Sequence, residues 1–380
     1  MKLLLHIGTH KTATSSLQLF LRKNETVLES QGIYYPIPPG GKKNFNNSAN
    51  KLATGSSQET IKTFQEVYRT ASKKGLHHVV ISAESFYAMT NFYGNHLNSD
   101  LDSYFFNERK LIKQLKKACS PFKEVKIVCY FKPQDEFASS IYNQEIKNTF
   151  GISSSYLNYL KLRPDLFNYN SYIKLFEENF GQENIKCINF DSVKKDIIKD
   201  FCKQFLPSTF YALAYDDNRK VNERLNRKCL EYKRVFNKLI NDKSLHFIVE
   251  NALKEISLAN PDEKKDHIYG SFRDREAYFS KYELENEELC KRYNIDMIPT
   301  IVAKEYDNSS IPFVNKKYAM STSSISLYLR KWIKQPNKLI NFYIRKIIYY
   351  IIKIFPKLEN FFLIIRSLIK NFKNRLTRNL

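Results

Sequence analysis

Leu3-Leu-Leu-His-Ile-Gly-Thr-His-Lys-Thr-Ala-Thr-Ser-Ser-Leu-Gln18 is the stretch from which the rest of the chain is read. Leu3, Leu4, Leu5 and Ile7 form a short apolar run, the pattern of a buried strand. Gly8 and Thr9 mark a sharp turn. Ser15 to Arg22 then reads as the start of a helix with Leu17, Phe20 and Leu21 facing inward. In a strand–loop–helix of this kind the first backbone N–H groups of the helix point at one spot, and the helix dipole adds partial positive charge there. Lys11 supplies a full charge. The spot suits a phosphate or a sulfate.

A Walker loop for ATP or GTP needs four residues between its first Gly and a Gly-Lys-Ser/Thr ending. Here only Thr9 and His10 separate Gly8 from Lys11, and no Gly precedes the Lys. The short form His-x-Gly-x-His-Lys-Thr-Ala-Thr-Ser-Ser-Leu-Gln resembles instead the 5′-phosphosulfate loop of sulfotransferases, which use 3′-phosphoadenosine 5′-phosphosulfate (PAPS). The resemblance implies that Gly8, Thr9, Lys11, Thr12, Ala13, Thr14, Ser15 and Ser16 hold the 5′ end of that donor.

Length and charge bound the alternatives. A chain of 380 residues can hold one large α/β domain and an appendage. A formal net charge of +22 points to a polyanionic partner. No zinc-finger spacing, RNA-binding aromatic signature or helix-turn-helix supports nucleic acid in that role. The six cysteines show no CxxC and no pairing with His, so neither a disulfide framework nor a metal site is expected, and the chain reads as one kept in a reducing compartment. The N-terminus lacks the long apolar run and cleavage site of a signal peptide.

In chain order, Gly32 to Pro36 reads as a short strand and Pro38 to Gln58 as a polar, basic loop, a candidate rim for an acceptor. Glu59 to Lys74 carries apolar residues at helical spacing. His78 to Ser82 is a β-branched strand that delivers Glu84 at its carboxyl end, where open parallel sheets bind ligands. Glu108 to Ala118 reads as a helix and Val125 to Phe131 as a strand, which runs into Lys132-Pro-Gln-Asp-Glu-Phe-Ala-Ser-Ser140-Ile-Tyr142. A helix is expected from Pro133.

This segment is similar to the 3′-phosphate motif of sulfotransferases, in which a cation is followed by Ser at the eighth position and Tyr two later. The register gives Lys132, Ser140 and Tyr142, and a cation at a strand end with a hydroxyl two turns into the helix can share one phosphate. Lys132 replaces the usual Arg, keeping the charge without the planar two-toothed grip. Tyr172–Phe180 (helix), Glu183–Phe190 (strand) and Ser192–Leu206 (helix) follow. Lys220 to Asn226 carries an Asn that, in the bacterial branch of the family, opens a helix near the cofactor. Arg273 to Tyr293 closes the part that carries the resemblance.

Together these features predict a three-layer α/β/α fold with a central parallel sheet, the P-loop-like sulfotransferase fold, over residues 1–298. A linker over 299–329 and a basic amphipathic tail over 330–380 complete the expectation. The tail has thirteen cations against the single acid Glu359, over half of the net charge, interleaved with Ile, Leu, Phe, Tyr and Trp332. Its apolar runs are too short to span a bilayer. It reads as helices lying on an anionic membrane surface, or else as a soluble helical hairpin packed on the catalytic part.

The resemblance implies an enzyme moving a sulfuryl group from PAPS to a hydroxyl of a glycan, a surface polysaccharide or a lipopolysaccharide-like glycolipid, with no metal. Lys11 suits the leaving group. Glu84 is the favoured base and His10 the alternative, while His6 reads as a buried strand residue. The expected location is cytoplasmic, at the inner face of the membrane. Two other readings stand beside this one: a nucleotide-dependent kinase, against which the missing Walker spacing counts, and a non-catalytic protein that binds anionic lipid or polysaccharide.

Overall fold

The structure is a computed structural model, and it describes residues 1–37, 45–90, 101–148, 151–163, 166–214, 225–239, 243–259 and 269–302. The tail (330–380), nearly all of the linker (299–329), Pro38 to Asn44 of the rim and Lys220 to Arg224 lie outside the described residues. Two compact units are formed. Of the described residues, one comprises those within 1–142, 154–214 and 269–302, the other those within 143–153, 225–239 and 243–259.

The strands are β1 (Lys2–His6), β2 (Ile33–Tyr34), β3 (His78–Ser82), β4 (Glu124–Phe131) and β5 (Ile185–Asn189). The helices, in order, are α1 (Thr14–Lys23), α2 (Glu25–Ser30), α3 (Asn46–Ala53), α4 (Ser57–Lys73), α5 (Leu101–Ala118), α6 (Gln134–Lys147) and α7 (Tyr156–Lys161). After them come α8 (Tyr169–Phe180), α9 (Phe190–Val193), α10 (Ile197–Phe205), α11 (Arg227–Leu239), α12 (Lys243–Ala259), α13 (Phe272–Phe279) and α14 (Glu283–Tyr293).

In the first unit all five strands run parallel in the order β2-β3-β1-β4-β5. The alternation of side chains decides what each face meets. Val80, Val128, Tyr130 and Ile188 pack with Leu17, Phe20 and Leu21 of α1 and with Ile197, Phe201 and Cys202 of α10. Leu3, Leu5, Val79, Ile81, Ile127 and Cys129 point the other way and are equally buried, on the side where α4 lies on β3 and α8 on β5. A sheet covered on both faces is the expected home of continuous apolar strands. The parallel α/β sheet read from the sequence is the one observed.

Two expectations are corrected. The rim segment is not loop throughout, since Asn46–Ala53 is helical with Phe45, Ala49 and Leu52 buried, and α4 already starts at Ser57. The helix expected over Ser192–Leu206 is two helices. Asn189 Oδ1 accepts the Asp191 N–H at 2.9 Å to start α9, and Asp196 Oδ1 accepts that of Lys199 at 3.2 Å to start α10, so the side-chain cap at Asp196 interrupts the run. Helices α13 and α14 are joined by a tight turn at Ser280–Tyr282. The second unit contains α11 and α12. Asn226 Oδ1 accepts the Cys229 N–H at 2.8 Å and caps the first of them.

Candidate active site

Because β1 lies between β3 and β4, the chain leaves it at the carboxyl edge where successive connections turn to opposite sides, the place where open α/β sheets bind ligands. The loop first follows β4: Ile7 N–H donates to Val128 O at 3.0 Å and Thr9 N–H to Tyr130 O at 3.3 Å, while Thr9 Oγ1 donates to the same Tyr130 oxygen at 2.8 Å. Thr12 Oγ1 closes the turn on Thr9 O at 2.6 Å. Gly8, Lys11 and Ala13 have φ of 45°, 70° and 55°. Left-handed residues alternating with others turn backbone N–H groups to one side, which makes an anion-binding concavity. Gly8 is required twice over, since a Cβ there would lie 3.2 Å from His6 Nε2 and 3.3 Å from Thr14 Oγ1.

Helix α1 begins directly on this loop, and no side chain caps it. No side-chain oxygen claims its first N–H groups, of which that of Ser16 donates to Ala13 O at 3.0 Å. Thr14 Oγ1 is buried and has no hydrogen-bond partner, a costly state unless a ligand or water supplies one. An oxyanion at this helix start meets both needs.

The second candidate anion group reaches the same loop. Lys132 follows β4, is 4% exposed, and donates from Nζ to Ser140 Oγ at 3.0 Å and to Lys11 O at 3.3 Å. The eight-residue spacing thus brings the cation and hydroxyl together. The bond to the Lys11 carbonyl was not legible in the sequence, and it ties the strand end to the loop. Tyr169 Oη holds the Lys132 carbonyl at 2.8 Å. Tyr142 is buried and donates to Ser154 O at 2.8 Å. Ser15 and Ser16 sit half-buried in the first turn of α1.

Glu84 starts a short 3-10 turn just past β3 and is half-buried. The strand end is pinned to β1 by Ala83 N–H to His6 O at 2.9 Å. Gln18 Nε2 bonds Glu84 Oε2 at 3.0 Å, and Asn46 Nδ2 bonds Oε1 at 3.2 Å. His6 is fully buried, its Nδ1 is 2.9 Å from Ser82 Oγ, and its ring lies edge-on to Tyr130 and Phe201. Burial lowers its pKa to about 4, against the opposing pull of Glu84. His10 is lowered to about 4 as well, by burial first, with Glu84 opposing and Lys11 assisting. A histidine held there is a weak proton acceptor near neutral pH.

The His6 shift carries a stability consequence. A histidine whose folded pKa lies below its unfolded value of about 6.5 contributes stability that is whole above pH 6.5 and is lost as pH falls through about 4. The full loss is on the order of 3 kcal/mol. Thermal melts of the wild type and His6→Asn between pH 7 and 4 should show a shallower decline in the variant.

Beyond the candidate site, the start of α6 is fixed by groups that sequence reasoning missed. Gln134 and Asn286 exchange amide bonds at 2.7 and 3.0 Å, and Asn286 also donates to Ile298 O at 2.8 Å. Asp135 Oδ2 pairs with Arg275 Nη1 at 2.5 Å with both side chains fully buried, and accepts the Val302 N–H at 3.1 Å. In the sequence Asp135 is an ordinary first-turn acid, and nothing marks a partner 140 positions away.

Among the described residues no three His, Cys, Asp or Glu side chains gather as metal ligands, and no helix is long and apolar enough to cross a membrane. No family model matches the chain, and no curated protein matches it. Among solved structures, the chain is similar to that of a sulfotransferase from Alicyclobacillus acidocaldarius, with 13% sequence identity, 77% of this chain and 96% of that chain covered, and a TM-score of 0.40.

Proposed function

We propose that this protein is a sulfotransferase that moves a sulfuryl group from PAPS to a hydroxyl of a glycan or glycolipid. The observation that carries the reading is the meeting of two anion-holding groups: the loop Gly8–Ser16 on one side and the Lys132–Ser140 pair on the other, with Lys132 bonded to both Ser140 Oγ and Lys11 O. A donor with phosphate at both the 5′ and 3′ ends of one nucleoside needs two such places. A nucleoside triphosphate needs a continuous phosphate cradle, which the short loop lacks.

In the reaction, the acceptor oxygen forms its bond to sulfur while the bond from sulfur to the 5′-phosphate oxygen breaks, in line, and the acceptor proton passes to Glu84. Lys11 and the N–H groups at the start of α1 balance the charge that grows on the departing phosphate. Neutral His10 sits beside this pair and can orient the acceptor. The basic tail, by its sequence, supports work at an anionic membrane surface on the cytoplasmic side, where a glycolipid acceptor is held.

The test is a pair of calorimetric titrations. Adenosine 3′,5′-bisphosphate should bind about 10- to 100-fold more tightly than adenosine 5′-monophosphate, the value of one to two charge-assisted hydrogen bonds at Lys132. Equal affinities would remove the 3′-phosphate site. Incubation with labelled PAPS and extracted envelope glycans should then label one glycan or glycolipid fraction.

A further inference from the structure

A carboxylate on a three-torsion side chain just past a strand end has many directions open to it. Glu84 is not left with that choice. Gln18 donates from one amide nitrogen to two oxygens, Ser82 O at 3.1 Å and Glu84 Oε2 at 3.0 Å. Asn46 donates to Glu84 Oε1 at 3.2 Å and takes the Ser85 N–H on its own oxygen at 3.4 Å. Turning either amide over would set oxygen against oxygen, and for Asn46 also N–H against N–H, so the partners fix the direction of donation.

Each amide therefore grips one carboxylate oxygen and, at the same time, the backbone beside Glu84. We propose that Gln18 and Asn46 are positioning residues for Glu84, holding one oxygen each so that the remaining lone pairs meet the acceptor hydroxyl. A carboxylate has about four lone-pair sites, and these two bonds leave room for the incoming proton.

The two grips come from different directions in the chain. Gln18 stands on α1, whose first turn is the anion site, so one rigid helix sets the distance between the sulfuryl donor and the base. Asn46 opens α3, inside the polar segment Pro38–Gln58 read as the candidate acceptor rim. Donor side and acceptor side thus each hold one oxygen of the same base. Misplacement of a reacting group by about 1 Å can cost on the order of 100-fold in rate.

This inference rests on Glu84 being the base of sulfuryl transfer, and its test separates the two ideas. The probe is PAPS alone with water as the sulfuryl acceptor, followed as release of sulfate and adenosine 3′,5′-bisphosphate. Gln18→Leu and Asn46→Leu should each lower kcat by about 10- to 100-fold while the Kd for adenosine 3′,5′-bisphosphate stays within about threefold. In a Glu84→Gln background neither change should cost more than about twofold, because the groups act only through Glu84.

A single variant with wild-type kcat, or one that loses as much in the Glu84→Gln background, would overturn the proposal. Should Gln18→Leu fail to fold, Asn46→Leu, at a half-exposed position, carries the same comparison. If the wild type turns over no PAPS, or Glu84→Gln costs nothing, the reading of the reaction fails instead. Crystal structures of the two single variants then decide the clamp by itself: a Glu84 carboxylate displaced from its wild-type place supports it, and one unmoved in both refutes it.

Discussion

Arg275→Leu should lower the free energy of unfolding by about 3–5 kcal/mol, measured by chemical denaturation at neutral pH. The reason is the position of its partner. Asp135 and Arg275 are both fully buried and joined at 2.5 Å, and burial raises the Asp135 pKa despite the Arg275 charge and the N–H groups of Val302 and Glu136. Removing the guanidinium leaves a carboxylate whose desolvation nothing of opposite charge offsets. The double variant Asp135→Leu/Arg275→Leu should regain a large part of the loss, since replacing a buried pair by apolar groups is far milder than halving it. A double variant as unstable as the sum of its singles would mean that the damage comes from packing and not from the stranded charge. Because Asp135 also receives the Val302 N–H and donates its own N–H to Thr300 O, Arg275→Leu should loosen Lys132, three positions before Asp135, and weaken bisphosphate binding with it.

Glu84→Gln should reduce turnover of PAPS by about 10²- to 10⁴-fold, the usual scale for removing a general base, with the Kd for adenosine 3′,5′-bisphosphate nearly kept. Lys11→Ala should fail differently, raising that Kd and lowering kcat together, because in the proposed reaction its charge serves both the bound donor and the departing phosphate. The contrast between the two is the measurement of interest. Loss of turnover in His10→Ala with full turnover in Glu84→Gln would move the base to His10.

The sequence carried the sheet well and the site in part, for a physical reason in each case. Strands buried on both faces have to be nearly continuous apolar runs, so β1, β3 and β4 could be read to within a residue or so of their ends. Lys132 and Ser140 could be paired because one strand end and one helix hold both, making their distance a local property. Glu84 could be placed for the same reason. Its grips could not, since Gln18 and Asn46 meet it from 66 and 38 positions away, and a Gln on a helix or an Asn in a polar segment carries no mark of its partner. The helix α3 was hidden by composition: Asn and Ser are weak helix formers, and it is the burial of Ala49 and Leu52 that makes the turn worthwhile.

The central position of β1 also dictates when the protein becomes competent. Leu4 pairs with Val80 on one edge and Lys126 on the other, ~75 and ~120 residues later. At a synthesis rate of about 5–20 residues per second the first strand made waits roughly 6–24 s for its second neighbour. During that time Leu3-Leu-Leu5 is an apolar ribbon with at least one open edge, the kind of segment for which chaperones and aggregates compete. The loop after it is in no better state, because Ile7 and Thr9 take their acceptors from Val128 and Tyr130. A nascent chain halted before residue 131 should therefore show no affinity for adenosine 3′,5′-bisphosphate, although every residue of the loop Gly8–Ser16 has left the ribosome.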